Sequence, residues 1–270
     1  YLGPAGTFTE EAARRFGIEG AQYVPVDSPA AALAALDAGE AEYAVCAIEN
    51  SFDGAVTTTM DALAATESAR IVGETELAIA FAVMTRQGHK LDDALRLATH
   101  PVAHQQVKRW IAENAPKAEF IPAPSNAAAA KMVADGAADV AVAPERAAAL
   151  HGLEVHARGV ADAETARTRF VLVAKQPALS EPTGNDRTAI VFRTKNESGA
   201  LVRVLQEFAA RGVDMTRIES RPTREEPNTY DFFVDLAGHA SDAAVAAALE
   251  AGAEHTTAMR QLGTWPRAAR

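Results

Sequence analysis

A single cysteine, Cys46, stands in 270 residues. That excludes a disulfide framework, and the histidines are too dispersed to make a Cys/His zinc spacing with it. Long apolar runs are equally scarce. Even the run from Leu77 to Met84 falls far short of the roughly 20 residues a membrane-spanning helix needs. Positive charge is also in deficit, with 26 Lys and Arg against 36 Asp and Glu and a net charge of -10. Such a chain attracts neither nucleic acid nor an anionic membrane, so an anionic ligand must be met by local positive charge. No basic-then-apolar leader opens the sequence at Tyr1-Leu2-Gly3-Pro4, which predicts a soluble cytoplasmic protein.

What is present is apolar content of 48%, enough for a core in each of two unequal domains. From Tyr1 to about Lys175, β-rich segments alternate with alanine-rich helical stretches. The predicted strands are 23–26, 43–48, 71–84, 97–99, 119–121, 140–143 and 170–173, and the helices include 29–38, 102–114 and 125–134. The alternation predicts an α/β domain with helices over the sheet faces, alanine favouring helix because it loses no side-chain entropy. Residues 176–187, with Pro177, Ser180, Pro182, Gly184 and Asn185, carry no periodicity and form the expected linker. Beyond it the order is strand 188–192, helix 199–210, strands 216–221 and 229–236, helix 242–251 and strand 256–264. This βαββαβ order suits a small ferredoxin-like α+β module. In its first helix Leu201, Val204, Leu205 and Phe208 line one face, with Ser198 the expected N-cap.

Chemistry-bearing residues gather where strands end. Gly3 to Glu11 passes through two glycines into a helix; its free amides can hold an anion, or Thr7 simply caps the helix with Glu10 closing a capping box. At Ile48-Glu49-Asn50-Ser51-Phe52-Asp53-Gly54 a strand runs into consecutive polar side chains, which serve either a ligand or a turn. At Thr99-His100-Pro101 a histidine titrating near neutrality precedes a helix and is read as a general acid or as a structural residue. Ser125-Asn126 reads as a helix cap or a ligand contact. Arg167-Thr168-Arg169-Phe170 places two cations beside a hydroxyl, although strand alternation sets both arginines on the face opposite Thr168. Cys46, inside an apolar run, reads as a small core residue rather than a nucleophile.

The ordered set GPAGTFTEEA, IENSFDGAV, THPVAHQQ, SNAAAA, TRF, and GAL followed by TRIESRP resembles the prephenate dehydratase family over essentially the whole chain. The resemblance implies a catalytic domain (1–175) of type II periplasmic-binding-protein fold, with one lobe at about 1–77 and 153–174 and the other at about 78–152. A linker (176–187) and an ACT regulatory domain (188–265) follow. It also implies decarboxylative dehydration of prephenate to phenylpyruvate without metal or organic cofactor, with Thr168 and Glu49 catalytic. Thr7, Asn50, Ser51, Thr99, His100, Ser125, Arg169 and Phe170 would line the substrate cleft, Arg169 anchoring the pyruvyl carboxylate and a protonated Glu49 or a water supplying the proton. L-phenylalanine would bind between ACT domains at Gly199, Ala200 and Leu201 and at Glu219, Ser220, Arg221 and Pro222. A homo-oligomer follows, a dimer of dimers. Departures from the family pattern are Ala166, Ala47, Val102, His104 and Asp214. Arogenate dehydratase carries the same motifs, and a non-catalytic amino-acid-sensing binding protein is the rival from another class.

Overall fold

The computed structural model describes residues 1–162, 166–175, 179–223 and 227–268. Helices Phe8–Arg15 (α1) and Pro29–Ala38 (α2) precede strands Tyr43–Asn50 (β1) and Gly54–Ala55 (β2), helix Thr57–Ala65 (α3) and strands Ala69–Ala78 (β3) and Ala82–Thr85 (β4). There follow Arg96–Thr99 (β5), Pro101–Gln106 (α4), Lys108–Asn114 (α5), Glu119–Pro122 (β6), Asn126–Ala134 (α6), Val140–Ala143 (β7), Glu145–His151 (α7), Glu154–Arg158 (β8) and Arg167–Lys175 (β9). The remainder comprises Asp186–Arg193 (β10), Ala200–Ala210 (α8), Met215–Pro222 (β11), Tyr230–Ala237 (β12), Ala243–Ala253 (α9) and Ala258–Pro266 (β13). The chain divides into two units: Tyr1–Ser28, Glu49–Gly54 and Glu76–Arg169 form the first, and Pro29–Ile48, Ala55–Thr75 and Phe170–Arg270 the second.

The first unit is built on a mixed sheet in the order β6-β5-β7-β4-β8. β5 runs parallel to β6 and β7, and β4 runs antiparallel to β7 and β8. Every residue of β7 is fully buried, as expected of an apolar run covered on both faces. Ala129, Ala130 and Val133 of α6 join Ala98, Ala141 and Ala143 of the strands in one core cluster. Alanine on both sides lets helix and sheet approach closely.

The sheet that runs through the second unit has the order β11-β12-β10-β13-β3-β9-β1-β2. Its first four strands, with α8 and α9, make the ferredoxin-like βαββαβ module. Val204 and Phe208 of α8 are fully buried among Ile190, Phe192, Val234 and Leu236, the face set by their helical spacing. β13 then meets β3 in parallel at Gly263 and Ile71. A Cβ at Gly263 would lie 2.1 Å from the Ile71 carbonyl oxygen, so only glycine allows that backbone approach.

Several expected elements differ. Tyr23 to Val26 is not a strand; only Val26 bridges to Leu2, because Pro25 offers no ladder donor. The expected strand 71–84 breaks after Ala78, where the Ile79 amide donates to the Ala166 carbonyl (2.7 Å) and pairing resumes at Ala82. The expected helix 102–114 divides at Val107, which leaves helical geometry (φ -129°, ψ 17°) while its side chain is fully buried. α8 is preceded by Gly199 in the left-handed region (φ 77°), with no side-chain cap from Ser198. Residues 176–178 of the expected linker lie outside the described residues, and β10 begins at Asp186, two positions early. Gly263→Ala is expected to destabilise the fold by about 1–3 kcal/mol, the usual cost of forcing a methyl into packed space, which urea denaturation measures.

Candidate active site

The C-terminal end of β1 meets the N-terminal end of β9 in antiparallel register. The Ser51 amide donates to the Arg167 carbonyl (2.9 Å) and the Arg167 amide to Ser51 Oγ (3.0 Å). One residue further in, Asn50 Nδ2 donates to Thr168 Oγ1 (3.0 Å). On the alternate face, Arg169 Nε and Nη2 both donate to Glu49 Oε2 (3.1 and 3.0 Å). Glu49, Asn50 and Ser51 thus face Arg169, Thr168 and Arg167 in reverse order, and strand alternation sends the two side-chain pairs to opposite sides.

The orientation of the Asn50 amide is decided by its oxygen. Oδ1 accepts from the Phe52 amide (2.8 Å) and the Asp53 amide (3.3 Å), an Asx turn that leaves only Nδ2 to point at Thr168. With one lone pair of Thr168 Oγ1 filled by this donor, the hydroxyl proton is left for another acceptor. Thr168 is 6% exposed, so that donor is held in place.

Arg169 and Glu49 are engaged with each other. The Arg169 side chain is 8% exposed and ion-paired, on the face opposite Thr168; this placement is at odds with a carboxylate clamp beside that hydroxyl. Glu49 Oε2 accepts both of the Arg169 bonds. Phe170, expected in the cleft, is a core side chain with 1% exposure.

A second group forms between β5, α4 and α6. Thr99 Oγ1 contacts Asn126 Oδ1 (3.2 Å) and the Val142 carbonyl (2.8 Å), and Thr99 is completely buried. The His100 amide also donates to Asn126 Oδ1 (3.1 Å). His100 caps α4, its Nδ1 accepting from the Val102 amide (3.3 Å), which assigns the ring proton of the neutral form to Nε2. Burial pushes its pKa below the usual 6.5, against the opposing pull of Asp53. His100 is therefore neutral at pH 7 and a poor source of protons. Ser125 Oγ accepts from the Ala128 amide (3.0 Å), so it caps α6. An open cavity of about 480 Å³ is lined by Phe52 and Asp53 after the first group and by Pro101 and Val102 after His100.

Thr7 belongs to a third group. Its Oγ1 donates to the Leu2 carbonyl (3.2 Å) and accepts from the Glu10 amide (3.3 Å). The expected capping box is displaced by one residue, because Glu10 Oε2 accepts from the Gly6 amide (2.6 Å) while Oε1 pairs with Arg14 and Arg146. Cys46 is 1% exposed, and burial pushes its thiol up to about 12, which removes it as a nucleophile.

In the second unit, Ala200 and Leu201 line a cavity with Asn196, Tyr230 and Phe232. Glu219 to Pro222 lie on β11, where Ser220 and Pro222 sit opposite Phe232 and Tyr230. Arg221 makes a two-pronged contact with Asp61 of α3 (3.0 and 2.8 Å).

Asn126 is not among the residues that the sequence marks as functional, although its neighbour Ser125 is; an amide just inside a cap is the available signal. Asp61 and Glu76, the latter bound to Arg167 (3.2 Å), have no local signal. No group of three or more His, Cys, Asp or Glu suited to a metal occurs among the described residues, and none of their helices is long and apolar enough to cross a membrane.

The family model for prephenate dehydratase matches residues 1–178, and that for the ACT domain matches residues 188–251. The chain belongs to the prephenate dehydratase family. It is 52% identical over 272 residues to the prephenate dehydratase of Corynebacterium glutamicum, covering 98% of this chain and 86% of that protein. It is 48% identical over 275 residues to that of Mycobacterium tuberculosis, with the same coverage. Among solved structures, prephenate dehydratase of Arthrobacter aurescens in complex with L-Phe superposes with a TM-score of 0.93 at 40% identity, covering 98% of this chain and 89% of that one. GqqA, described as a quorum-quenching acylase, gives a TM-score of 0.90 at 34% identity, covering 99% and 97%.

Burial would raise the Glu10 pKa, but the Gly6 amide and the Arg14 and Arg146 guanidiniums together hold it below the usual 4.5. A carboxyl depressed in the folded state stabilises the protein above its unfolded value and ceases to do so as pH falls through the folded value. Glu10→Gln is therefore expected to be less stable than the parent at pH 7, with the difference vanishing well below pH 4.5 in urea titrations at stepped pH.

Proposed function

We propose that the protein is a carbon-oxygen lyase that converts prephenate to phenylpyruvate, and that the Asn50–Thr168 hydrogen bond carries the reading. In the net reaction prephenate and one proton yield phenylpyruvate, carbon dioxide and water. The bond from the ring to its carboxylate breaks, its electron pair enters the ring, and the C4 hydroxyl leaves. Aromatisation supplies the driving force, so the protein need only stabilise the departing oxygen. A preorganised donor aimed at that oxygen stabilises the developing charge more than any other single contact such a site can offer. Thr168 serves as that donor because Asn50 occupies its acceptor side. A proton delivered from Thr168 to the leaving hydroxide is restored by water, since Glu49 is engaged by Arg169 and His100 is neutral.

The same geometry weighs against an acylase reading, which the likeness to GqqA raises. A nucleophilic threonine needs a base to take its proton. Among the described residues no carboxylate or imidazole accepts from Thr168 Oγ1.

L-phenylalanine is the proposed regulator, bound at the cavity beside Gly199, Ala200 and Leu201 and at the Glu219–Pro222 strand. The edge position of β11 in the sheet order supports pairing with a second copy there, consistent with a dimer of dimers. Inhibition follows if phenylalanine favours one conformation over another.

Thr168→Ala is expected to lower kcat for phenylpyruvate formation by about 10²–10³, the cost of one oxyanion-type donor, while Thr168→Ser, which keeps a hydroxyl, loses far less. Product chromatography with prephenate and arogenate in parallel separates the two substrates, and turnover of neither would overturn the reading. Asn50→Ala is expected to reduce kcat more than it raises KM, as steady-state kinetics would report, because it disorients the donor without removing it.

A further inference from the structure

We propose that a buried row of alternating charges, Arg217, Asp235, Arg187 and Glu74, is the coupling element that carries the state of the regulatory segment to the catalytic threonine. The proposal rests on the phenylalanine regulation inferred above.

Each member of the row belongs to a different strand. Arg217 of β11 grips Asp235 of β12 with Nε and Nη2 (both 3.0 Å). Arg187 of β10 lies 3.5 Å from the same carboxylate and 3.1 Å from Glu74 of β3. Side-chain exposures are 11%, 1%, 12% and 4% along the row, so these contacts are largely shielded from water. Glu74 also accepts from the Ala268 amide (3.1 Å). The row crosses the Gly263–Ile71 contact, where β13 of the regulatory module joins the sheet that contains β9.

Stability does not require such a row, because well-packed apolar side chains of equal volume serve as well or better in buried positions. What a buried ionic row supplies is discreteness. A small slip of any strand leaves a charge unpaired in low dielectric, so the strands occupy separate arrangements rather than a continuum. Arg217 Nη1 is buried with no hydrogen-bond partner among the described residues.

The two ends of the row lie where a coupling element needs them. Arg217 is two residues from Glu219 on β11, whose neighbour β12 supplies Tyr230 and Phe232 to the cavity beside Leu201. At the other end Glu74 is two residues from Glu76 on the same strand, and Glu76 holds Arg167 (3.2 Å). Arg167 immediately precedes Thr168, and its amide bonds to Ser51. A shift of β3 is thereby delivered to the segment that aims the hydroxyl. Glu74 and Glu76 are positioning residues and touch no reacting atom.

The test measures, on the full-length protein, the factor by which saturating phenylalanine changes kcat/KM for prephenate, with phenylalanine affinity measured separately by calorimetry. Glu74→Gln keeps the shape and an acceptor for the Ala268 amide but removes the charge. It is expected to bind phenylalanine within about threefold of the parent and to lose at least about tenfold of the coupling factor, a ratio that is read independently of any change in basal kcat and within the range allosteric couplings span. Glu76→Gln, a substitution at a partly exposed site, probes the far end and keeps the test decisive if Glu74→Gln does not fold; it too is expected to weaken the coupling. Inhibition of the parent with full inhibition of both soluble variants, or of Glu76→Gln alone where Glu74→Gln does not fold, overturns the coupling row and leaves phenylalanine regulation standing. Loss of phenylalanine binding in the variants overturns it as well, because the effect then lies at the ligand site. A parent enzyme indifferent to phenylalanine overturns the regulatory reading and the row together.

Discussion

The hydrogen bond from Asn50 to Thr168 joins residues 118 apart in the chain, and the arrangement of the candidate site depends on it. The bond requires β1 and β9 to run antiparallel with one register, because a slip of one residue would exchange the faces and put Arg169 where Thr168 stands. It also requires the Asn50 amide to be turned one way. The Asx turn that follows the strand enforces this by claiming the amide oxygen. A segment that reads as either turn or ligand contact is thus both at once: the turn orients the group that orients the hydroxyl.

Charge is handled locally throughout this acidic chain. Arg169 is neutralised by Glu49, Arg167 by Glu76 and Arg221 by Asp61. Arginines that look available in sequence are engaged in structure, and the buried row around Arg187 repeats the pattern on a larger scale. The cations of the candidate site therefore already have partners. Burial lowers the His100 pKa and raises that of Cys46.

Alanine shapes the frame in which these contacts form. In the first unit helices and strands meet through side chains that are mostly methyl groups, so backbones can approach closely. In the regulatory module the core is larger-grained, with Phe192, Phe208 and Leu236. Gly263 is the extreme of the same closeness, a position where even a methyl group does not fit.

Most of the element order was legible from periodicity and composition, because the apolar face of α8 and the apolar run of β7 are local properties of the chain. So were the caps at Thr7 and Ser125, whereas the cap that His100 supplies to α4 was not. The breaks at Ala78 and Val107 were not, since both arise from tertiary demands: a carbonyl at Ala166 that needs a donor, and a valine drawn into the core. The motif residues were legible as a set, but their roles were not. Sequence alone determined the family, the two-part organisation and the candidate hydroxyl at Thr168, because these rest on residue types in a fixed order. Only the tertiary structure decided that Asn50 presents its nitrogen to that hydroxyl, that Glu49 and Arg169 engage each other, and that a row of charges ties Arg217 to Glu74. Such pairings join distant stretches of chain, where register and burial, rather than local composition, select the partner.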